Sequence, residues 1–103
     1  MNEENTRNPQ ANDREEVLKE IEILRQEIDL INHNLLDVLN LRQLNVIKII
    51  RLKQSQGLPL RDSEREEQML NKVIAGNSGP ITAETVRDVM KAVFKHTLQD
   101  LNI

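Results

Sequence analysis

The chain has no cysteine, no tryptophan and no tyrosine, and Phe94 is its one aromatic residue. Without cysteine there are no disulfides and no thiolate chemistry, and the redox compartment stays undecided. Without aromatic platforms, nucleic-acid binding by base stacking is disfavoured. The 14 basic residues are outnumbered by 17 acidic ones, for a net charge of −3. No basic field therefore draws in DNA, RNA or an anionic membrane. No apolar run approaches the length of a membrane span, and the first sixteen residues contain no signal-peptide core. The simplest address is the cytoplasm. His33 and His96 have no histidine or cysteine partner at ligand spacing, so no metal site is expected.

Glycine and proline are scarce as well, and neither occurs between Pro9 and Gly57. Residues 1–11 hold hardly an apolar side chain and read as a disordered polar tail. Residues 12–103 read as one small folded domain. Apolar residues recur at helical spacing from about residue 13 to about residue 55, with Asn12 or Asp13 available as the cap. Gly57-Leu58-Pro59 ends that first helix. A second helix begins near Asp62 and Ser63, where Ser63 and Glu66 match a capping box, and its apolar face is Met69, Leu70, Val73 and Ile74. The run from Gly76 to Pro80 is a break. Thr82 caps a third helix whose stripe is Val86, Val89, Met90, Val93, Phe94, Leu98 and Leu101.

No strand pattern or internal repeat is present, so the fold class is all-α: three helices per chain, one very long. At ~1.5 Å per residue the first helix spans roughly 63 Å, about twice the width of a small domain. The two shorter helices hold too few residues to cover its apolar face. A monomer would expose a large apolar surface, which soluble monomers avoid. The expected solution is an intertwined two-fold dimer in which long helix packs on long helix.

The most informative residue is Arg42. It lies on the stripe Leu24, Ile28, Ile31, Leu35, Val38, Arg42, Val46, Ile49 and Lys53, where steps of three and four keep every position near one helix face. Seven of the nine are aliphatic and two are cations. A charge in a core costs several kcal/mol unless a partner compensates for it. Arg42 and Lys53 are eleven positions apart, which returns them to within roughly 20° of one direction with a rise of ~16 Å. Two long cations so placed can hold a small dianion between them. The ordinary alternative is that each pairs with a carboxylate of another helix or snorkels to the surface.

Arg25 lies roughly 26 Å before Arg42 along the axis and on a different face. It cannot share a small ligand with Arg42 of its own helix, but in an antiparallel dimer it can approach Arg42 of the partner. Otherwise it is a solvated arginine with Glu22 or Asp29 in reach. The segment from Arg61 to Glu66 crowds both signs at a helix start, and there Glu66 has a purely structural reading as a capping-box residue. Thr97 lies on the third stripe, where a threonine usually bonds back to its own helix.

The segments LRQEIDLINHNLLDVLNLRQLNVIKIIRLK, GLPLRDSEREEQML and VMKAVFKHTLQDL, in that order, resemble the all-helical class of chorismate mutases over about residues 20–101. The specific elements are L-R-x-x-I-D, the central arginine, the lysine that closes the first helix, and R-D-x-x-R-E after a short loop. The resemblance implies a dimer of three-helix chains with two equivalent sites, each borrowing one arginine from the partner. It implies that Arg25 is that arginine, that Arg42 holds a substrate carboxylate, and that Lys53 binds a carboxylate and the ether oxygen. It brings Asp62, Arg65 and Glu66 to the site from the second helix, Glu66 receiving the ring hydroxyl, and Thr97 to the neighbourhood of a carboxylate. One position departs: where the family carries Gln or Glu against the ether oxygen, this chain has Leu101. Gln99 is two positions off and points roughly 160° away.

The implied activity is that of an isomerase turning chorismate, a dianion, into prephenate on the way to phenylalanine and tyrosine. That reaction is a unimolecular pericyclic shift, so no nucleophile, metal or cofactor is expected. The site must hold the compact conformer of a flexible dianion and stabilise charge growing on the breaking ether bond. Loss of the polar group at position 101 implies reduced activity, since one such donor is worth on the order of 10²–10³ in rate. Leu101 also keeps open a same-fold homologue: an isochorismate pyruvate-lyase, an aminodeoxychorismate mutase or a weakly active regulatory subunit. A helical dimerisation module without a ligand is a third reading, and it gives no reason for Arg42 and Lys53 on the seam. Docking on another shikimate-pathway enzyme is left open.

Overall fold

The computed structural model describes residues 9–103, with side-chain surroundings from Asp13 onward. It holds three helices, α1 (Pro9–Ser55), α2 (Ser63–Ala75) and α3 (Ala83–Asp100). Among the described residues there is no strand. Helix α1 begins a turn before the expected start at Asn12 or Asp13, which lie inside the helix and do not cap it. Proline suits a first turn, because the N–H it lacks would have no acceptor there. Residues 1–8 of the expected polar tail lie outside the described residues.

The helix ends follow local chemistry. Gly57 takes a φ of 64°, the left-handed conformation that glycine reaches without steric cost. The chain then turns back, and the Leu58 N–H donates to the Lys53 carbonyl at 2.9 Å, closing α1. The start of α2 corrects the sequence reading. Its cap is Asp62, whose carboxylate accepts from the Arg65 N–H at 3.0 Å, and Ser63 is already the first helical residue. The Ser63–Glu66 capping box is therefore not formed, and Glu66 is released from that structural duty. Helix α3 starts as expected, the Thr82 hydroxyl accepting from the Thr85 N–H at 3.2 Å. Its far end is closed too. Asn102 takes a left-handed φ of 55°, and the Ile103 N–H donates to the Leu98 carbonyl at 3.0 Å.

The chain falls into two units, Met1–Leu41 and Arg42–Ile103, with the boundary inside α1. The described part of the first unit is helical throughout. Its apolar stripe faces solvent: Leu24, Ile28, Ile31, Leu35 and Val38 are between 52% and 62% exposed. The second unit joins the last turns of α1 to α2 and α3. Its core is small, with Leu70 and Phe94 buried and Val46, Ile50, Met69, Ile74, Met90, Val93 and Leu98 half-buried around them. Thr97 is the buried polar residue among those described. Val73 and Val89, expected on the inner stripes, are exposed. No described helix is long and apolar enough to cross a membrane.

Candidate active site

Arg42 opens the second unit from α1 and is half-buried. One terminal nitrogen of its guanidinium donates to the Thr97 hydroxyl at 3.0 Å. That hydroxyl donates its own proton to the Val93 carbonyl at 2.7 Å, one turn back on α3. The guanidinium carbon stands 5.3 Å from the centre of the Phe94 ring. Both neighbours are neutral. They hold the cation without cancelling its charge, so its attraction for an anion is kept.

Around Arg42 lies a pocket of about 140 Å³ at the junction of the three helices. Its polar wall is Arg42, Lys53, Arg61, Asp62, Arg65, Glu66 and Thr97, and its apolar wall is Val46, Ile49, Ile50, Leu60, Met69, Phe94 and Leu98. Four cations face two carboxylates, a local surplus of two positive charges in a chain whose net charge is −3. One of the two carboxylates, that of Asp62, is engaged as the α2 cap. The Lys53 ammonium sits 3.5 Å from the Leu60 carbonyl, a long contact that uses at most one of its three donors. Apolar walls lower the local dielectric and strengthen each of these charges for a bound ion. The arrangement suits a small organic anion with an apolar body.

Of the eight residues singled out from the sequence, the pocket gathers Arg42, Lys53, Asp62, Arg65, Glu66 and Thr97. Arg25 lies in the first unit and is exposed. Leu101 does not line this pocket. It is the cap of α3, half-buried, in a neighbouring depression that shares Ile50 and Leu60 with the pocket and adds Ile47, Arg51 and Gln54. Four residues after Thr97 leave it on nearly the same helix face but about 6 Å further along the axis, past the last residue of α3. Two pocket residues had no role in the sequence reading. Arg61 stood out only as part of a crowded charge run, and Phe94 only as one member of a packing stripe. The signal for Phe94 was present: the single aromatic of the chain lies three positions before Thr97 on the same helix face.

Among the described residues, no group of three or more His, Asp or Glu side chains is placed to hold a metal ion. The family model for chorismate mutase type II matches residues 24–100, from the α1 stripe to the end of α3. This chain belongs to that family. Two solved structures of the chorismate mutase from Thermus thermophilus superpose on it. Form I is 42% identical over 77% of this chain and 99% of its own, with a TM-score of 0.75. Form II is 41% identical over 78% of this chain and 91% of its own, again with a TM-score of 0.75. A search of curated proteins finds no match.

Proposed function

We propose that this chain is a chorismate mutase, an isomerase converting chorismate to prephenate, and that it works as a cytoplasmic homodimer. The observation that carries this reading is the pocket in the second unit, with four cations against two carboxylates on apolar walls. Family membership supplies the reaction, and the pocket has the charge that the reaction needs.

The chemistry asks little of the protein beyond holding and stabilising. Arg42 and Arg65 anchor carboxylates of the substrate and select the compact conformer in which the two ends of the rearranging system meet. Lys53 stabilises the negative charge that grows on the ether oxygen as its bond to the ring breaks. Glu66 receives the ring hydroxyl, and Asp62 sets the start of α2 from which Arg65 and Glu66 project. No proton, metal or cofactor enters the balance, because one bond forms as another breaks within one molecule.

Arg25 is proposed to complete each site from the partner chain. Support for a dimer comes from the first unit, where aliphatic residues at helical spacing are left open to water. A soluble chain gains stability by covering such a stripe, and an identical stripe on a second copy can do so. The direct test is loss of chorismate absorbance with the product identified. Prephenate supports the mutase. Pyruvate with an aromatic acid, or no turnover at all, replaces it with the lyase or the regulatory reading.

A further inference from the structure

We propose that Phe94 is a positioning residue that orients Arg42 for its anion, a role that rests for its kinetic consequences on the mutase reading. The ring is buried, at 6% exposure, so packing fixes it before any ligand arrives. The guanidinium carbon lies 5.3 Å from the ring centre, within the range where a cation is attracted to the negative face of an aromatic ring. One guanidinium nitrogen is also bonded to Thr97 at 3.0 Å. Thr97 has a single hydroxyl proton, and it goes to the Val93 carbonyl. Towards Arg42 the hydroxyl oxygen is therefore purely an acceptor. Two contacts, one at a terminal nitrogen and one at the guanidinium carbon, restrain a group that a single hydrogen bond would leave free to swing.

The type of partner matters. A carboxylate in place of the ring would hold Arg42 as firmly, but it would compete with the anion for the same N–H donors. A ring face attracts the cation through its quadrupole and takes no donor. A guanidinium has five N–H donors, and the Thr97 contact uses one. The remaining donors are left for a ligand, on a cation whose charge no neighbouring carboxylate has cancelled. Preorganisation of this kind raises rate and affinity by removing the cost of ordering the cation at the moment of binding.

The chain offers an unusually clean test, because Phe94 is its only phenylalanine. Biosynthetic replacement of phenylalanine by analogues with one, two or three ring fluorines alters this position and no other. Fluorination drains the ring face of negative potential with little change of shape. The expected result is a stepwise fall of kcat/KM for chorismate, about threefold to tenfold at three fluorines, with a small fall of the thermal midpoint that vanishes when Arg42→Met removes the cation. A flat series overturns the proposal. A midpoint that falls by the same amount in the Arg42→Met protein assigns the ring to packing and overturns it as well. A second arm needs no activity: the fluorine resonance of the singly labelled protein should move when Arg42→Met removes the cation, and an unmoved resonance denies the contact. An unlabelled protein that does not turn over chorismate sinks the mutase reading and the kinetic role of Phe94 together, while the resonance still reports whether the ring holds Arg42.

Discussion

Arg42 donates to the Thr97 hydroxyl at 3.0 Å across 55 positions of sequence, and so ties the last turns of α1 to α3. The bond explains why a buried threonine sits on an otherwise apolar stripe. Thr97 accepts from Arg42 and donates to Val93, so both of its hydrogen-bonding functions are used inside the protein. We propose that its part in anion binding is indirect, through the cation that it steadies.

Thr97→Val and Thr97→Ser should accordingly behave differently. Valine keeps the shape but removes the acceptor, and kcat/KM for chorismate should fall about tenfold, the equivalent of one hydrogen bond of about 1.4 kcal/mol to a charged group. Serine keeps the hydroxyl and should stay within about twofold of the wild type, given one retained bond of that size. Steady-state kinetics decide it, and a valine variant with full activity would leave Arg42 oriented by something else.

Arg42→Ala separates function from stability. The variant forfeits one hydrogen bond to a neutral hydroxyl and one ring interaction, together about 1–2 kcal/mol. Relief of a half-buried cation offsets part of that loss. The thermal midpoint should move little, whereas turnover should drop by a factor on the order of 10² or more, the scale of a preorganised charge contact. Near-normal turnover would show that the pocket binds its anion without Arg42.

The parts of this molecule that were legible in its sequence are those decided within a few residues. Gly57, the Gly76–Pro80 break and Thr82 mark helix ends because their conformations or side chains act on the nearest backbone. The cap of α2 is Asp62 and not the Ser63 that the capping-box spacing favours, for the same local reason. Asp62 and Ser63 are both good caps, and only the backbone decides which carbonyl opens the helix. Arg42 and Lys53 stood out because they interrupt an aliphatic period. What holds Arg42 did not, because Thr97 and Phe94 reach it only by tertiary packing, which no spacing within α1 encodes.

The dimer proposed for this chain has two consequences that can be measured together. Since the partner covers apolar surface, the thermal midpoint should rise with protein concentration. Arg25→Ala and Arg42→Ala, each inactive alone, should recover activity when mixed, because a mixed dimer rebuilds one complete site. A folded monomer at micromolar concentration in sedimentation would remove the dimer, and verified heterodimers without activity would place Arg25 outside the site.

Leu101 provides the sharpest contrast between spacing and geometry. Counting four residues on from Thr97 puts position 101 one turn further along the same helix, where a polar group would be sought. The side chain instead lines a depression with Ile47, Ile50, Arg51, Gln54 and Leu60, beyond the last residue of α3. The end is not frayed, since the Ile103 N–H returns to the Leu98 carbonyl at 3.0 Å and fixes the turn that carries Leu101. Leu101→Gln therefore sets an amide beside Gln54 and Arg51 as well as Ile47, Ile50 and Leu60, at a position that does not line the Arg42 pocket. The expected cost is about 1–2 kcal/mol of stability, the value of a partly buried leucine. The expected effect on kcat is less than about twofold, well below the 10²–10³ that a new donor at the ether oxygen would bring. Kinetics and thermal denaturation of one variant separate the two accounts. A rate gain of tenfold or more would mean that α3 turns its end towards Lys53 when substrate binds, and that the leucine is a deficit in the site. A stability loss without a rate change would mean that the leucine is core, and that Lys53 meets the ether oxygen without help from position 101.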